Sequence, residues 1–540
     1  MGKNRIESRR YWLGGKRKPE QDHFFKEALN AAGWRSGNEE KWDACWFTGM
    51  PETRHLLKAG PDRKINHIPG NNSLTLKDRL YENLTALRDR QIEQFGPDHE
   101  HVTRLDFVPQ VYSMPRDYQA LREAALADPD RRWILKPKNA SRGRGIRVLR
   151  DVASVPLEEK WMVQEYLAYP HTMRGHKYVL RLYVLISSIT PLRVYLYRQG
   201  FAKLASAPYD VDDVDNPYSQ LTNPDINARN TEAEVPVEFV DLDRYREWFR
   251  GEGHDDEALF EKIRDLVTLT TIAAVEPMRQ RARQLGVDSR GCYELLGVDC
   301  LVDQELKPWI LECNLSPTMG VCAAPDTGGP IEGRVKGRLV TDMASMVGLL
   351  EPESGPESES ADPVDRICRE TDGELARAGD FERLFPSDEV EAYLPFLPLP
   401  RLADLMLADV VNGAPVQRPK LRSRYATEQI AEGRLSLRDA RSGKVMRLNE
   451  TAAFIWLMAM EGLDPDGITE QLSAVVEKGG EEVPDLHELR REVWDCLADW
   501  AHRGLVMQRG PGPGHEPASA RAASGSERPV HHEAGTVSAH

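Results

Sequence analysis

Asp299, Glu312 and Asn314 are residues whose types and spacing could do chemistry. The stretch "LKPWILECNLSPTMG" (306–320) places a carboxylate, Glu312, and an amide, Asn314, two residues apart in an otherwise apolar segment. Alternate residues of a strand point to one face, so the two groups project together. Burying an unpaired charge is costly, so the carboxylate needs something to meet. The longer segment "YELLGVDCLVDQELKPWILECNLSP" (293–317) reads as strand, turn, strand, with "DQELK" at the hairpin tip and Asp299 in the first strand. Antiparallel neighbours lie about 5 Å apart, which can bring all three oxygen donors to one spot. Hard oxygen ligands with room for water and phosphate suit Mg²⁺. A hydrogen-bonded structural cluster would use the same three residues, so the spacing alone leaves both readings open.

Cationic residues stand upstream. "WILKPKNASRGRGIRVL" (133–149) reads as a strand carrying Lys136, a Gly-rich loop, then a second strand. Gly143 and Gly145 let a backbone approach phosphate closely, and Arg142 and Arg144 add positive charge. A solvated basic hairpin has the same composition. In "GHKYVLRLYVL", Lys177 and Arg181 are four apart, on one face of an apolar strand. They need anions, either a ligand's or structural carboxylates.

Several elements must position these groups. "WILKPK" and "VQEYL" read as short strands, and "YVLRLYVLIS" and "LRVYLYRQGFAKLA" as an antiparallel pair. "ALFEKIRDLVTLTTIAAVEPMRQRARQLG" has the apolar spacing of a long helix ending at Gly286. The pattern is α+β, antiparallel sheets with covering helices.

Bulk properties exclude several classes. The 540 residues are 40% hydrophobic and 29% charged, enough for more than one domain. There is no long uncharged apolar run, so no membrane span is expected. The basic N-terminus has no apolar core and is not a secretory signal. Seven dispersed cysteines without paired spacing argue against a disulfide framework or zinc site and for a cytoplasmic location. A net charge of −15 argues against nucleic-acid binding.

Taken in order, the motifs resemble the tubulin tyrosine ligase-like group of the ATP-grasp superfamily. They are "INHIPGNNSLTLKDRLYENL" (65–84), "FVPQVYSMPRDY" (107–118), "WILKPKNASRGRGI" (133–146), "VQEYL" (163–167), "GHKYVLRLYVLISSITPLRVYLYRQGFAKLA" (175–205), "QLTNPDIN" (220–227) and the 293–317 hairpin, and the likeness covers roughly residues 40 to 390. The resemblance implies an ATP-grasp fold, ATP and Mg²⁺ as cofactors, and amide ligation. A substrate carboxylate takes the γ-phosphate of ATP to give an acyl phosphate, and an amine then displaces phosphate. By the same resemblance Lys136 and Lys177 hold ATP phosphates, with the loop Arg142, Gly143, Arg144 and Gly145 around them. Gln164, Glu165, Tyr166 and Leu167 form the adenine-binding strand, and Thr222 and Asn223 lie near the nucleotide. Asp299, Glu312 and Asn314 bind Mg²⁺, Arg181 grips the acceptor's carboxylate, and Lys203 stands at a second substrate-gripping position. Arg181 and Lys177 are the residues assigned to catalysis. Two departures stand out. The family pattern Lys-Phe-Asp-Leu-Arg appears here as "KYVLR", with Val179 where an acid is expected, and Lys203 replaces an arginine. The missing acid leaves a non-catalytic scaffold that presents peptides as one alternative.

Beyond residue 415, "RLSLRDARSGKVMRLNETAAFIWLMAMEG" reads as two strands and a helix N-capped by Asn449, with Phe454, Ile455 and Trp456 in the core. Two more helices follow, the last opened by Asp485, striped by Leu486, Leu489, Val493, Leu497 and Trp500, and closed by Gly504. This winged-helix-like unit resembles the PqqD-like recognition elements of peptide-maturation enzymes, in which a leader peptide adds as a strand to the sheet. The domains expected are 1–115, an N-terminal ligase subdomain; 116–350, the catalytic subdomains; 351–415, linker and extension; 416–508, the leader-binding module; and 509–540, a disordered tail. The combined reading is a peptide-maturation ligase that captures a ribosomally made precursor peptide through 416–508 and joins an amino acid or other amine to its carboxylate. A protein tyrosine or glutamate ligase acting on protein tails is the alternative.

Overall fold

The computed structural model describes residues 9–16, 19–140, 143–325, 328–350, 362–429, 434–480 and 484–509. Arg142, residues 351–361 of the expected linker and nearly all of the C-terminal tail lie outside the described residues, together with the expectations placed on them.

A 14-residue strand, His176–Ile189, organises the eight-stranded sheet. Its run of Val, Leu, Ile and Tyr is buried along most of its length, as β-branched and aromatic residues favour in a sheet covered on both sides. Labels follow chain order. They are β1 Trp133–Pro137, β2 Trp161–Glu165, β3 His176–Ile189, β4 Leu192–Tyr197, β5 Phe201–Leu204, β6 Glu294–Val302 and β7 Pro308–Leu315. One edge of β3 pairs with β6 along residues 180–186. The other edge takes β4 along 184–189 and then β5 along 178–181. The expected antiparallel partner of β3 is therefore present but broken between Tyr197 and Phe201. There a Cβ on Gly200 would lie 2.4 Å from the Arg181 carbonyl oxygen.

The predicted hairpin is present as β6 and β7, with Asp303 to Lys307 between them. β1 and β2 belong to a separate four-stranded antiparallel sheet. One sheet departs from the antiparallel expectation. The N-terminal strands Arg10–Gly15, Arg35–Ser36, Ala44–Thr48 and Lys64–Ile65 pair in parallel, with the helix Pro19–Ala31 as the crossover that parallel pairing needs. The fold is mixed α/β with several antiparallel sheets, consistent with an ATP-grasp-like ligase domain.

Two helices cover the sheet's inner face, α1 Lys77–Phe95 and α2 Asp256–Leu285. Asp255 caps α2 through the Ala258 amide at 3.0 Å, and Gly286 ends it in the left-handed region at φ 68°. A further helix, α3 Leu402–Asn412, leads into the C-terminal unit. That unit holds the antiparallel sheet β8 Tyr425–Gln429, β9 Leu435–Asp439 and β10 Val445–Leu448, with α4 Glu450–Met460, the helix Pro465–Lys478, and α5 Leu486–His502. Asn449 caps α4 through the Ala452 amide at 2.8 Å, as expected. Ile455 and Trp456 are buried, whereas Phe454 is half-buried and Leu486 is exposed, so neither of the latter belongs to the core. Leu486 opens α5, beyond the reach of its packed face.

The C-terminal unit packs against α2. Arg283 of α2 makes two bonds to Asp499 of α5, at 2.8 and 2.9 Å. Buried Arg401 joins Glu276 of α2 to Asp495 of α5, the latter at 2.7 Å. One continuous apolar core contains Leu397 and Leu399 as well as Trp456 and Trp494. All seven cysteines are free, and no helix of the described residues is long and apolar enough to cross a membrane.

Candidate active site

Strand register places the candidate residues. Arg181 of β3 pairs with Asp299 of β6, which pairs with Glu312 of β7. Asn314 lies opposite Gly297 on the same two strands. Leu311 is the extra residue of a β-bulge, since Asp299 pairs with Glu312 while the next residue, Cys300, pairs with Ile310. The bulge presents Leu311 and Glu312 to the same cleft.

The carboxylates are met by cations. Arg181 donates to both oxygens of Asp299, from Nε at 2.7 Å and Nη2 at 3.0 Å. The ammonium of Lys203 donates to both as well, at 3.1 Å each. Burial works to raise the Asp299 carboxyl, but Arg181 and Lys203 hold it far below the ordinary range. Glu312 is also held low: burial opposes this and the Lys77 ammonium, 2.8 Å away, overcomes it. Asn314 Nδ2 donates to Gly297 O and Glu312 Oε1, at 3.2 Å each.

Across the cleft, Lys136 of β1 donates to Gln164 Oε1. Gln164 donates in turn to the Tyr81 hydroxyl at 2.6 Å, which donates to the Leu311 carbonyl at 2.7 Å. A hydrogen-bonded chain therefore runs from the lysine to the bulge. Lys177 donates to the Tyr166 hydroxyl at 2.9 Å, and that hydroxyl donates to Gln220. Burial pushes Lys136 down to about 8. Burial, with Lys136 nearby, pushes Lys177 down to about 7. Burial and the Arg181 charge also lower Lys203.

Lys77, Lys136, Gln164, Tyr166, Lys177, Lys203, Gln220, Asp299, Leu311 and Glu312 line one cleft of about 130 Å³, and Arg181 and Asn314 border it through their bonds to Asp299 and Glu312. Gly143, Glu165, Leu167, Thr222 and Asn223 line it too. Gly143 and Gly145 have φ of 69° and 76°, and a Cβ on Gly143 would strike Ile226 at 2.4 Å. Asn223 caps its own short helix through the Asp225 amide at 2.9 Å. Arg144 is exposed on the loop.

Sequence reasoning missed Lys77, Tyr81 and Gln220. Lys77 and Tyr81 sit in the quoted 65–84 motif, a helical signal remote from the hairpin. The start of that motif is anchored by Glu294 of β6, which accepts from the Ile68 amide at 3.0 Å and Asn71 Nδ2 at 2.8 Å. His67 Nδ1 lies 3.0 Å from the same carboxylate.

A family model described as "Tubulin-tyrosine ligase family" matches residues 55–336, just over half of the chain and all of the cleft. The chain belongs to the tubulin-tyrosine ligase family. It is 28% identical to tubulin monoglutamylase TTLL4 of Homo sapiens over 436 residues, covering 69% of this chain and 35% of that protein. It is 32% identical to tubulin polyglutamylase ttll-4 of Caenorhabditis elegans over 319 residues, covering 57% and 50%. It is 30% identical to tubulin polyglutamylase TTLL5 of Homo sapiens over 359 residues, covering 64% and 27%. The chain thus spans 35% and 27% of the two human proteins and half of the nematode one.

For a tubulin-tyrosine ligase family member the cleft fits nucleotide and Mg²⁺ on its own donor chemistry. Two carboxylates and an amide meet at one end, and Lys77 already places a cation on Glu312. Among the described residues no site gathers three His, Cys, Asp or Glu side chains, so the hard-oxygen trio is not a zinc-type cluster.

Proposed function

We propose that this chain is an ATP-dependent ligase that joins an amino acid, glutamate in the first instance, by an amide bond to a carboxylate carried on a polypeptide. Ligases of this family depend on ATP and Mg²⁺, and the relatives above are named tubulin glutamylases. The observation that carries the reading is a single cleft lined by buried Lys136 and Lys177 together with Asp299 and Glu312, with Asn314 bonded to Glu312 at its border. Lys136, Lys177 and the Gly143 loop bind the phosphates, and Gln164 to Leu167 face the adenine. Glu312 and Asn314 would hold Mg²⁺, which supplies charge neutralisation at the phosphates, with Asp299 beside them ion-paired to Arg181 and Lys203. Arg181 keeps Asp299 in place and offers its remaining N–H groups to the acceptor's carboxylate. The test is incubation with ATP, Mg²⁺, mixed amino acids and an acidic peptide. A peptide mass increase supports ligation, and phosphate release without one contradicts it.

A second reading makes the acceptor a precursor peptide captured by 416–508 as a winged-helix-like, PqqD-like module. It is favoured by β10, an edge strand packed beside α4, whose Leu457 is exposed and whose Phe454 and Met458 are half-buried. An extended peptide could add to such an edge and lie on that helix. Leu457→Asp would then weaken peptide binding and leave ATP binding intact.

A further inference from the structure

Lys203 is held differently from a side chain waiting for substrate. It is buried, and its ammonium bridges both oxygens of Asp299 at 3.1 Å. Arg181 supplies two more N–H groups to the same oxygens. A carboxylate has about four lone-pair sites, so Asp299 has no acceptor capacity left for an additional metal ion. Glu312 is less committed, with Lys77 on one oxygen and Asn314 on the other.

Register explains why Lys203 turns to Asp299. Its direct cross-strand partner is Val179, which faces the same cleft and is apolar. A carboxylate at 179 would compete for the ammonium, and valine cannot.

Charge in the cleft points the same way. Among the described residues, the four cleft lysines and Arg181, in their charged forms, make five cations against Glu165, Asp299 and Glu312. That leaves two positive charges once phosphate has drawn the lysines into those forms. A triphosphate brings about four negative charges near neutral pH. One divalent cation balances the set, whereas a second leaves a buried excess of positive charge, which a low-dielectric cleft penalises.

We propose that Lys203 takes, at Asp299, the place of a second divalent cation, so that this cleft binds a nucleoside triphosphate together with one divalent ion, centred on Glu312 and Asn314. Val179 is the positioning residue that leaves Lys203 on Asp299. The inference rests on the ligase reading above and concerns how its nucleotide is bound.

The test counts ions rather than turnover. Mn²⁺ is titrated into the full chain held in excess over AMP-PNP, with free Mn²⁺ followed by electron paramagnetic resonance. One Mn²⁺ per bound nucleotide is expected. Lys203→Met, which frees two acceptor sites on Asp299, should bind two. Val179→Asp, which draws Lys203 off Asp299, should also bind two and guards against a Lys203 variant that fails to fold. Two Mn²⁺ in the unaltered protein, or one in folded variants at both positions, overturns the proposal while the ligase reading stands. Failure of the unaltered protein to bind AMP-PNP overturns the ligase reading, and this inference with it.

Discussion

Lys177 donates to the Tyr166 hydroxyl at 2.9 Å and lies 4.4 Å from the centre of the same ring, with the Tyr209 ring at 5.6 Å. Among the described residues no carboxylate pairs with it. A buried ammonium facing π-systems and a hydroxyl is stabilised less than one in an ion pair. The site is thus built with a cation that its ligand must complete.

Replacing Lys177 with Met should therefore separate stability from binding. Loss of a charge-assisted phosphate contact costs about 2–3 kcal/mol, roughly 30- to 150-fold in ATP affinity. The ligand-free protein should melt higher, because a buried strained charge is gone. Lys177 sits at about 7 in the fold, against about 10.4 in the unfolded chain. The unfolded chain then holds more protons between these values, and the lysine's penalty, full below pH 7, fades as pH rises towards 10. The thermal gain of the variant should shrink over the same window in scanning calorimetry.

Nucleotide binding should itself take up protons. Phosphate anions favour the charged forms of Lys136 and Lys177, which burial holds down to about 8 and about 7. Affinity for ATP should fall as pH rises from 7 to 9. Titration calorimetry in buffers of different ionisation enthalpy should show net proton uptake near pH 8. Lys136→Met and Lys177→Met together should abolish it.

The two carboxylates should respond differently to amide substitution. Asp299→Asn leaves Arg181 and Lys203 as buried cations without a counter-charge, a loss of about 3–5 kcal/mol. Glu312 is partly exposed, and its nearest counter-charge is Lys77. Glu312→Gln should keep the fold, with a melting temperature within a few degrees of the unaltered chain, and lose product formation. Urea unfolding and a ligation assay on both variants read the contrast.

The interface with the C-terminal unit rests on Arg401, which is buried against buried Glu276. Arg401→Ala should cost about 3 kcal/mol by removing the nearest counter-charge of Glu276, which keeps only the longer contacts to Arg279 and Arg283 at 3.7 and 3.9 Å. The double variant Arg401→Met, Glu276→Met should recover most of it. Asp499→Ala, at the more exposed Arg283 pair and 3.5 Å from Arg401, which keeps Glu276 and Asp495, should cost less, about 1 kcal/mol. Denaturant melts of the three variants give the comparison.

Local patterns made much of the site legible. The alternation in β7 brought Glu312 and Asn314 together, and the position of Asp299 in a hairpin placed it opposite them. The long apolar spacing and Gly286 fixed the end of α2. The partners of those groups were not legible, because they depend on register and on distant elements. Lys77 meets Glu312 across more than 200 residues of chain, and the bulge at Leu311 leaves no mark in composition. The bond from Lys203 to Asp299 follows only once β3, β5 and β6 are aligned. The N-terminal strands were unread because two- to six-residue segments carry little periodicity, and their parallel pairing needs a crossover that only the tertiary fold reveals.

The most direct test of the account is product analysis with the intact chain. The protein is incubated with ATP, Mg²⁺, glutamate and an acidic acceptor peptide, and peptide mass and nucleotide products are measured together. The account predicts glutamate added to the peptide by an amide bond, with one ADP and one phosphate released per residue joined, and no product from Glu312→Gln. ATP consumed with no gain in peptide mass, or AMP released in place of ADP, would contradict it.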